Sequence, residues 1–144
     1  MAELLGRHRY QLDPKGRIAL PARFREEFVD GAWLTLGQER AVYVFPQLEW
    51  ERLRSEVPVN PFSSPQDRAL ARIFFSSAER VRLDKQGRLL VPQSLREEVG
   101  IDREAVVVGV SNRLEIWAAG EWDRYQDEQL GPYVAGTLVP TSRG

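Results

Sequence analysis

Asp13-Pro14-Lys15-Gly16-Arg17 sets two cations and a carboxylate around a single glycine. Asp84-Lys85-Gln86-Gly87-Arg88 does the same 71 positions later. An arginine fork takes a guanine edge or a phosphate through two parallel hydrogen bonds, whereas lysine is a flexible point charge suited to phosphate. The leading Asp can accept from backbone ahead of it, Pro14 presets a turn, and Gly16 and Gly87 supply positive φ. A tight hairpin built this way is narrow enough to approach a groove about 12 Å wide. The candidate DNA-binding residues are therefore Lys15, Arg17, Lys85 and Arg88, with Arg7, Arg9, Arg80 and Arg82 widening the positive field. A competing reading stays open, in which Arg17 and Arg88 pair internally with Asp13 and Asp84.

These turns sit inside a longer repeat. Residues 13–28 return as residues 84–99 with seven of sixteen positions identical, namely Asp13/84, Gly16/87, Arg17/88, Pro21/92, Arg25/96, Glu26/97 and Glu27/98. Four more positions exchange one large apolar residue for another. Past a one-residue slip near Val29 to Ala32, where Asp30-Gly31 signals a turn, Trp33-Leu-Thr-Leu-Gly37 matches Ala105-Val-Val-Val-Gly109. Val42 to Phe45 then matches Leu114 to Trp117, and Trp50 matches Trp122. A unit of about 50 residues buries only a marginal core, so the two copies are expected to fold against each other.

Charge follows the repeat. The first 25 residues carry six Lys/Arg against two acids, and residues 80–96 carry five against one. The rest of the chain is acidic, and the whole comes to −1. Because screening acts within roughly 8–10 Å, distant acids do not cancel a local basic patch.

The elements that must position the turns are legible in outline. Arg9-Tyr-Gln-Leu12 and Arg80-Val-Arg-Leu83 alternate polar and apolar residues, as half-buried strands do, and Ile18-Ala-Leu20 and Leu89-Leu-Val91 are the return strands. Pro21 and Pro92 stop the ladder and open short helices whose Phe24/Phe28 and Leu95/Val99 share a face at i, i+4. Two more strands and a helix bearing Trp50 or Trp122 complete each copy. Arg25 and Arg96, beside their Glu pairs, read as structural ion pairs. Ser64-Pro65 opens a linker helix with Leu70, Ile73 and Phe74 on its apolar face, ending near Ser77. The predicted organisation is a first unit over 4–56, a linker with helix over 57–77, a second unit over 78–130 and an aperiodic, loosely docked tail over 131–144.

Several function classes are disfavoured. With no Cys and one His, the sequence offers neither thiolate chemistry nor a rich metal-ligand set, and no cofactor is expected. Adjacent glutamates on a helix diverge and make a poor acid–base dyad. No phosphate-cradling glycine loop or nucleophile elbow is present, so an enzyme is not expected. No segment reaches the length of a membrane span and no signal peptide is evident, which points to the cytoplasm.

The doubled Asp-x-x-Gly-Arg turn, each copy followed by strand, Pro and an (apolar)-Arg-Glu helix, resembles the MraZ family over about residues 4–129, including Ile116-Trp117 and Glu121-Trp122. The resemblance implies an α+β, mostly β fold, a duplicated swapped-hairpin (AbrB-like) β-barrel-type unit with short helices. It implies a sequence-specific DNA-binding transcriptional regulator, a repressor at the nucleoid, that binds short tandem promoter repeats of a division and cell-wall gene cluster containing its own gene. It also implies a ring-shaped homo-oligomer. Avidity supports the ring independently, since tandem repeats are selected best when several turns are fixed in one object. The halves differ in bulk at Phe24, Phe28 and Trp33 against Leu95, Val99 and Ala105, which suits head-to-tail contact between chains with Arg17 and Arg88 on one rim. The alternative is an antitoxin-like protein-interaction module on the same fold.

Overall fold

The two copies exchange strands. In the computed structural model, which describes residues 3–141, strand β1 (Arg7–Gln11) leaves its own half and pairs antiparallel with β7 (Glu104–Gly109) of the second copy. Its counterpart β5 (Glu79–Val81) returns the exchange by pairing with β3 (Ala32–Leu36). The remaining strands meet their own equivalents: β2 (Arg17–Ala19) pairs with β6 (Arg88–Leu90), and β4 (Ala41–Pro46) with β8 (Leu114–Ala118). Strand order in the six-stranded sheet, β1-β7-β8-β4-β3-β5, is therefore a palindrome of the repeat about a pseudo-twofold axis between β8 and β4. The β2–β6 ribbon is the second layer, and the hydrogen-bonded ladders do not close into a full barrel. The fold class is the expected one: α+β, mostly β, with swapped halves.

One expectation is corrected. The strands flanking each Asp-x-x-Gly-Arg turn do not form a hairpin ladder with one another. The Asp13 N–H donates to Arg17 O at 2.9 Å and closes the turn, after which β1 enters the large sheet and β2 the ribbon. Period-2 alternation identifies the buried face of a strand but not its partner. The narrow two-stranded element is β2–β6, made jointly by both copies.

Ile18 and Leu89, opposite each other in that ribbon, are fully buried and join Leu34, Val42, Val44, Val107, Leu114 and Ile116 in one core drawn from both halves. Helix α1 (Ala22–Arg25), its 3-10 extension over Glu26–Phe28, and α4 (Gln93–Val99) contribute Phe24, Phe28, Leu95 and Val99 to the same core. The one-residue slip falls between these helices and the next strand. Residues 29–31 bridge to β3, whereas residues 100–103, opening with left-handed Gly100, bridge to β7.

Helix α2 (Gln47–Arg54) and its counterpart α5 (Ala119–Val134) flank the sheet, and α3 (Pro65–Ser76), between the copies in sequence, packs on β3 and α2 of the first. Ser64 caps α3 as expected, its Oγ accepting from the Asp67 N–H at 3.1 Å. Only Phe74 of its three expected apolar contacts is buried; Leu70 and Ile73 stay 42% and 57% exposed. The helix packs through Phe74 and Phe75 onto Trp50, which stacks between Trp33 and Phe74 at 4.7 and 5.4 Å. That rotation turns Leu70 and Ile73 toward an open groove. Trp122 has no such cover and contacts Trp117 and Tyr125 while remaining half-buried. The expected tail begins as helix instead: α5 runs through Gly131 and Pro132 to Val134, with the Ala135 N–H bonded to Gly131 O at 2.9 Å. Residues 135–141 form no helix or strand, and 142–144 lie outside the described residues. Among the described residues no helix is long and apolar enough to cross a membrane.

Candidate nucleic-acid interface

Each turn is organised by its aspartate. Asp13 Oδ1 accepts the backbone N–H groups of Lys15 and Arg17 at 3.0 and 2.9 Å, and Asp84 Oδ1 accepts those of Gln86 and Arg88, both at 2.9 Å. The second carboxylate oxygen does something else. Asp13 Oδ2 accepts from Arg17 Nε at 2.6 Å, and Asp84 Oδ2 from Arg88 Nε at 2.8 Å. Because β2 and β6 are paired, these two clusters meet. Arg17 Nη1 comes within 3.9 Å of Asp84 Oδ2, and Arg88 Nη1 within 3.6 Å of Asp13 Oδ2. Four charges separated by 71 positions in sequence thus form one reciprocal network.

Both aspartates titrate below the usual carboxylate value. The leading cause is the backbone hydrogen bond from Arg17 or Arg88, to which the guanidinium of the same residue and the second turn N–H add, against an opposing desolvation. The internal pairing is therefore present, but it does not consume the arginines. Their side chains remain 29% and 32% exposed, and among the described residues neither Nη2 makes a hydrogen bond. Each fork is held at Nε and offers an outer edge.

Arg25 and Arg96 are structural, but among the described residues neither forms an ion pair. Arg25 Nε donates to Leu20 O at 3.2 Å and Arg96 Nε to Val91 O at 2.9 Å. Each guanidinium lies over the glycine of the opposite copy's turn. A Cβ on Gly16 would stand 2.6 Å from Arg96 Cζ, and one on Gly87 would stand 2.6 Å from Arg25 Cδ. Gly16 and Gly87 adopt φ +86° and +76°, where L side chains are strained, so glycine is required twice over. The sequence carried a signal for this contact, since both residues recur in both copies, but nothing in it said that the partner was a glycine across the interface.

The other candidates divide into two groups. Lys15 and Lys85 are exposed at the turn tips, and Arg82 is exposed beside Lys85, Arg25 and Gly87 around a cleft of about 350 Å3. Arg7 and Arg9 lie elsewhere. Arg9 is bound to Asp123 of α5 at 2.8 Å, and Arg7 borders Trp122 and Tyr125, about six residues and roughly 20 Å of strand from the first turn. Arg80 lies over Gly31 and donates to Asp30 O. His8, half-buried on β1, accepts from Arg23 Nη2 at 2.9 Å. Leu90, 43% exposed on the ribbon's outer face opposite Arg17, carries no signal in the sequence beyond that of an ordinary strand residue. Among the described residues no group of three or more His, Cys, Asp or Glu is gathered to hold a metal.

The outer face thus joins two arginine forks, two exposed lysines and a small apolar contact on one short ribbon. Such a set can meet base edges and phosphates together.

Comparison with known proteins agrees with the duplicated architecture. The family described as "MraZ protein, putative antitoxin-like" matches residues 4–73 and again residues 74–132. Over 142 residues the chain is 42% identical to "Transcriptional regulator MraZ" of Pelotomaculum thermopropionicum, spanning 97% of this chain and 98% of that protein. It is 49% identical over 125 residues to the protein of the same name from Paenarthrobacter aurescens, which covers 87% of both chains. It is 46% identical over 121 residues to that of Desulforamulus reducens, with 84% and 85% covered. With the family pattern met twice and relatives matched almost end to end, the chain belongs to the MraZ family.

Proposed function

We propose that this protein is a DNA-binding transcriptional regulator that reads short tandem repeats in its own promoter through the ribbon that joins its two Asp-x-x-Gly-Arg turns. The observation that carries this reading is the convergence of Arg17 and Arg88, each held at Nε by its own turn aspartate, on one half-exposed face. The relatives' name, transcriptional regulator, supports the regulatory part. Lys15, Lys85 and Arg82 supply phosphate contacts around the arginines. Arg7 and Arg9 take a lesser part, because Arg9 is engaged by Asp123. The protein acts as a repressor of the division and cell-wall gene cluster, in the cytoplasm at the nucleoid, without catalysis or cofactor.

One chain offers a single short ribbon, too few contacts for tight binding at physiological salt. A cyclic homo-oligomer presents several. Two apolar surfaces at opposite ends of the pseudo-symmetric sheet support such an assembly. One is a groove of about 510 Å3 lined by Tyr43, Leu53, Val57, Leu70 and Ile73. The other is formed by Trp122, Leu130 and Tyr133 of α5 together with Leu138 just beyond it.

The same groove favours a second reading, an antitoxin-like module that binds another protein. A gel-shift of the purified protein with the DNA upstream of its own gene, against scrambled DNA of equal length, separates the two. A discrete shift with the upstream DNA alone supports the regulator; no shift with either sinks it.

A further inference from the structure

We propose that Asp13 and Asp84 are specificity-determining positioning residues, which hold Arg17 and Arg88 for base edges while suppressing attachment to the phosphate backbone at large. This rests on the DNA-binding reading above.

A turn aspartate needs only one oxygen. Oδ1 alone satisfies the two backbone N–H groups that shape each turn, at 2.9–3.0 Å in both copies. Oδ2 could face water, yet in both copies it takes the Nε of the arginine four residues on, at 2.6 and 2.8 Å. It also approaches the Nη1 of the arginine from the other copy, at 3.6 and 3.9 Å. The carboxylates are therefore spent on the guanidinium groups as well as on the turns.

Two consequences follow from the charges. The four-membered network is neutral, so the arginines add little net attraction for any phosphate; that attraction falls to Lys15 and Lys85 at the tips. A carboxylate pair facing DNA is also repelled by the backbone unless the groups beside it gain compensating contacts. Base edges meeting the exposed guanidinium N–H groups supply such contacts, whereas a backbone sliding past does not. An arginine already fixed at Nε loses less rotamer freedom on meeting a base. The crossed contacts make the two forks one unit, so loss of either aspartate disturbs both arginines.

Asparagine separates the two duties. Asp13→Asn keeps a carbonyl Oδ1 for the turn but puts an amide NH2 where the guanidinium expects an acceptor, and it removes the negative charge. Fluorescence-anisotropy titrations of D13N/D84N and of each single variant, with upstream and scrambled DNA at two salt concentrations, test the inference, with circular dichroism confirming the fold. The double variant is expected to bind scrambled DNA roughly threefold tighter, from two fewer repelled charges. The ratio of upstream to scrambled affinity is expected to fall roughly tenfold or more, the scale of a disturbed bidentate base contact. The single variants are expected to show part of the same change in the same direction. A purely turn-forming role would weaken both DNAs alike, and that result, or an unchanged ratio, overturns the proposal. Should the double variant misfold, the single variants are judged by the same ratio. A wild type that binds neither DNA would remove the DNA-binding reading itself and this inference with it.

Discussion

Gly16→Ala tests the contact that locks the two halves around the ribbon. Gly16 holds φ +86°, a conformation that disfavours an L side chain by roughly 1–2 kcal/mol. The new methyl would also stand 2.6 Å from Arg96 Cζ and 2.7 Å from Arg96 Nε. Arg96 must move, and its 2.9 Å hydrogen bond to Val91 O is then lost, worth about 0.5–1.5 kcal/mol. The sum is about 1.5–3.5 kcal/mol. For a chain of this size that lowers Tm by roughly 5–12 °C. Gly120→Ala is the control: it lies in α5, a Cβ there meets nothing within 4 Å, and its effect should be within about 1 kcal/mol on the stabilising side. Thermal and urea melts of G16A, Arg96→Ala and the double variant form a cycle. Removing Arg96 relieves the clash, so the double variant should be less destabilised than the sum of the singles by about 0.5–1.5 kcal/mol. Additivity within about 0.3 kcal/mol would refute the claim that Arg96 packs on the first copy's turn.

Because the core is shared, Phe24→Ala in one half and Leu95→Ala in the other should each shift a single common transition, by about 3–5 and 2–5 kcal/mol, with tryptophan fluorescence and circular dichroism coinciding. Two separable transitions would contradict the exchange of strands. Asp13 and Asp84 titrate lower in the folded protein than unfolded, so their contribution to stability is full above the ordinary value of 3.8 and is lost as pH falls through the folded-state values. Urea midpoints should accordingly fall below about pH 4 in the wild type and show a shallower acid limb in D13N/D84N. Light scattering should find an assembly larger than a dimer, and charging the groove with Leu70→Glu and Ile73→Glu should reduce its mass; a monomeric wild type would contradict the proposed ring.

The sequence was most informative where a residue's role is local or repeated. The turns at Asp13 and Asp84, the one-residue slip before β3 and β7, and the core positions Phe24, Phe28, Leu95 and Val99 follow from chemistry read twice, and the cap at Ser64 from local chemistry alone. Partnership was not legible. The alternation in Arg9-Tyr-Gln-Leu12 shows a half-buried strand but not that β7 lies beside it. Arg25 and Arg96 stood next to glutamates in sequence, yet their partners are carbonyls and a glycine from the other copy. Leu70 and Ile73 fit an apolar stripe, and only the rotation of α3 about Phe74 and Trp50 leaves them open. The aperiodic stretch from Gly131 gave no sign of helix, but a proline near a helix end removes only one hydrogen bond and α5 continues through Pro132 to Val134.

The proposed function requires that Arg17 and Arg88 read DNA as one unit. Anisotropy titrations of wild type, R17A, R88A and R17A/R88A against upstream and scrambled DNA, across several salt concentrations, test it most directly. Each single loss should cost roughly 1–3 kcal/mol on upstream DNA and much less on scrambled DNA. The double variant should retain only weak, salt-sensitive binding that no longer distinguishes the two sequences. If folded R17A/R88A keeps wild-type preference for the upstream DNA, the ribbon is not the reading surface.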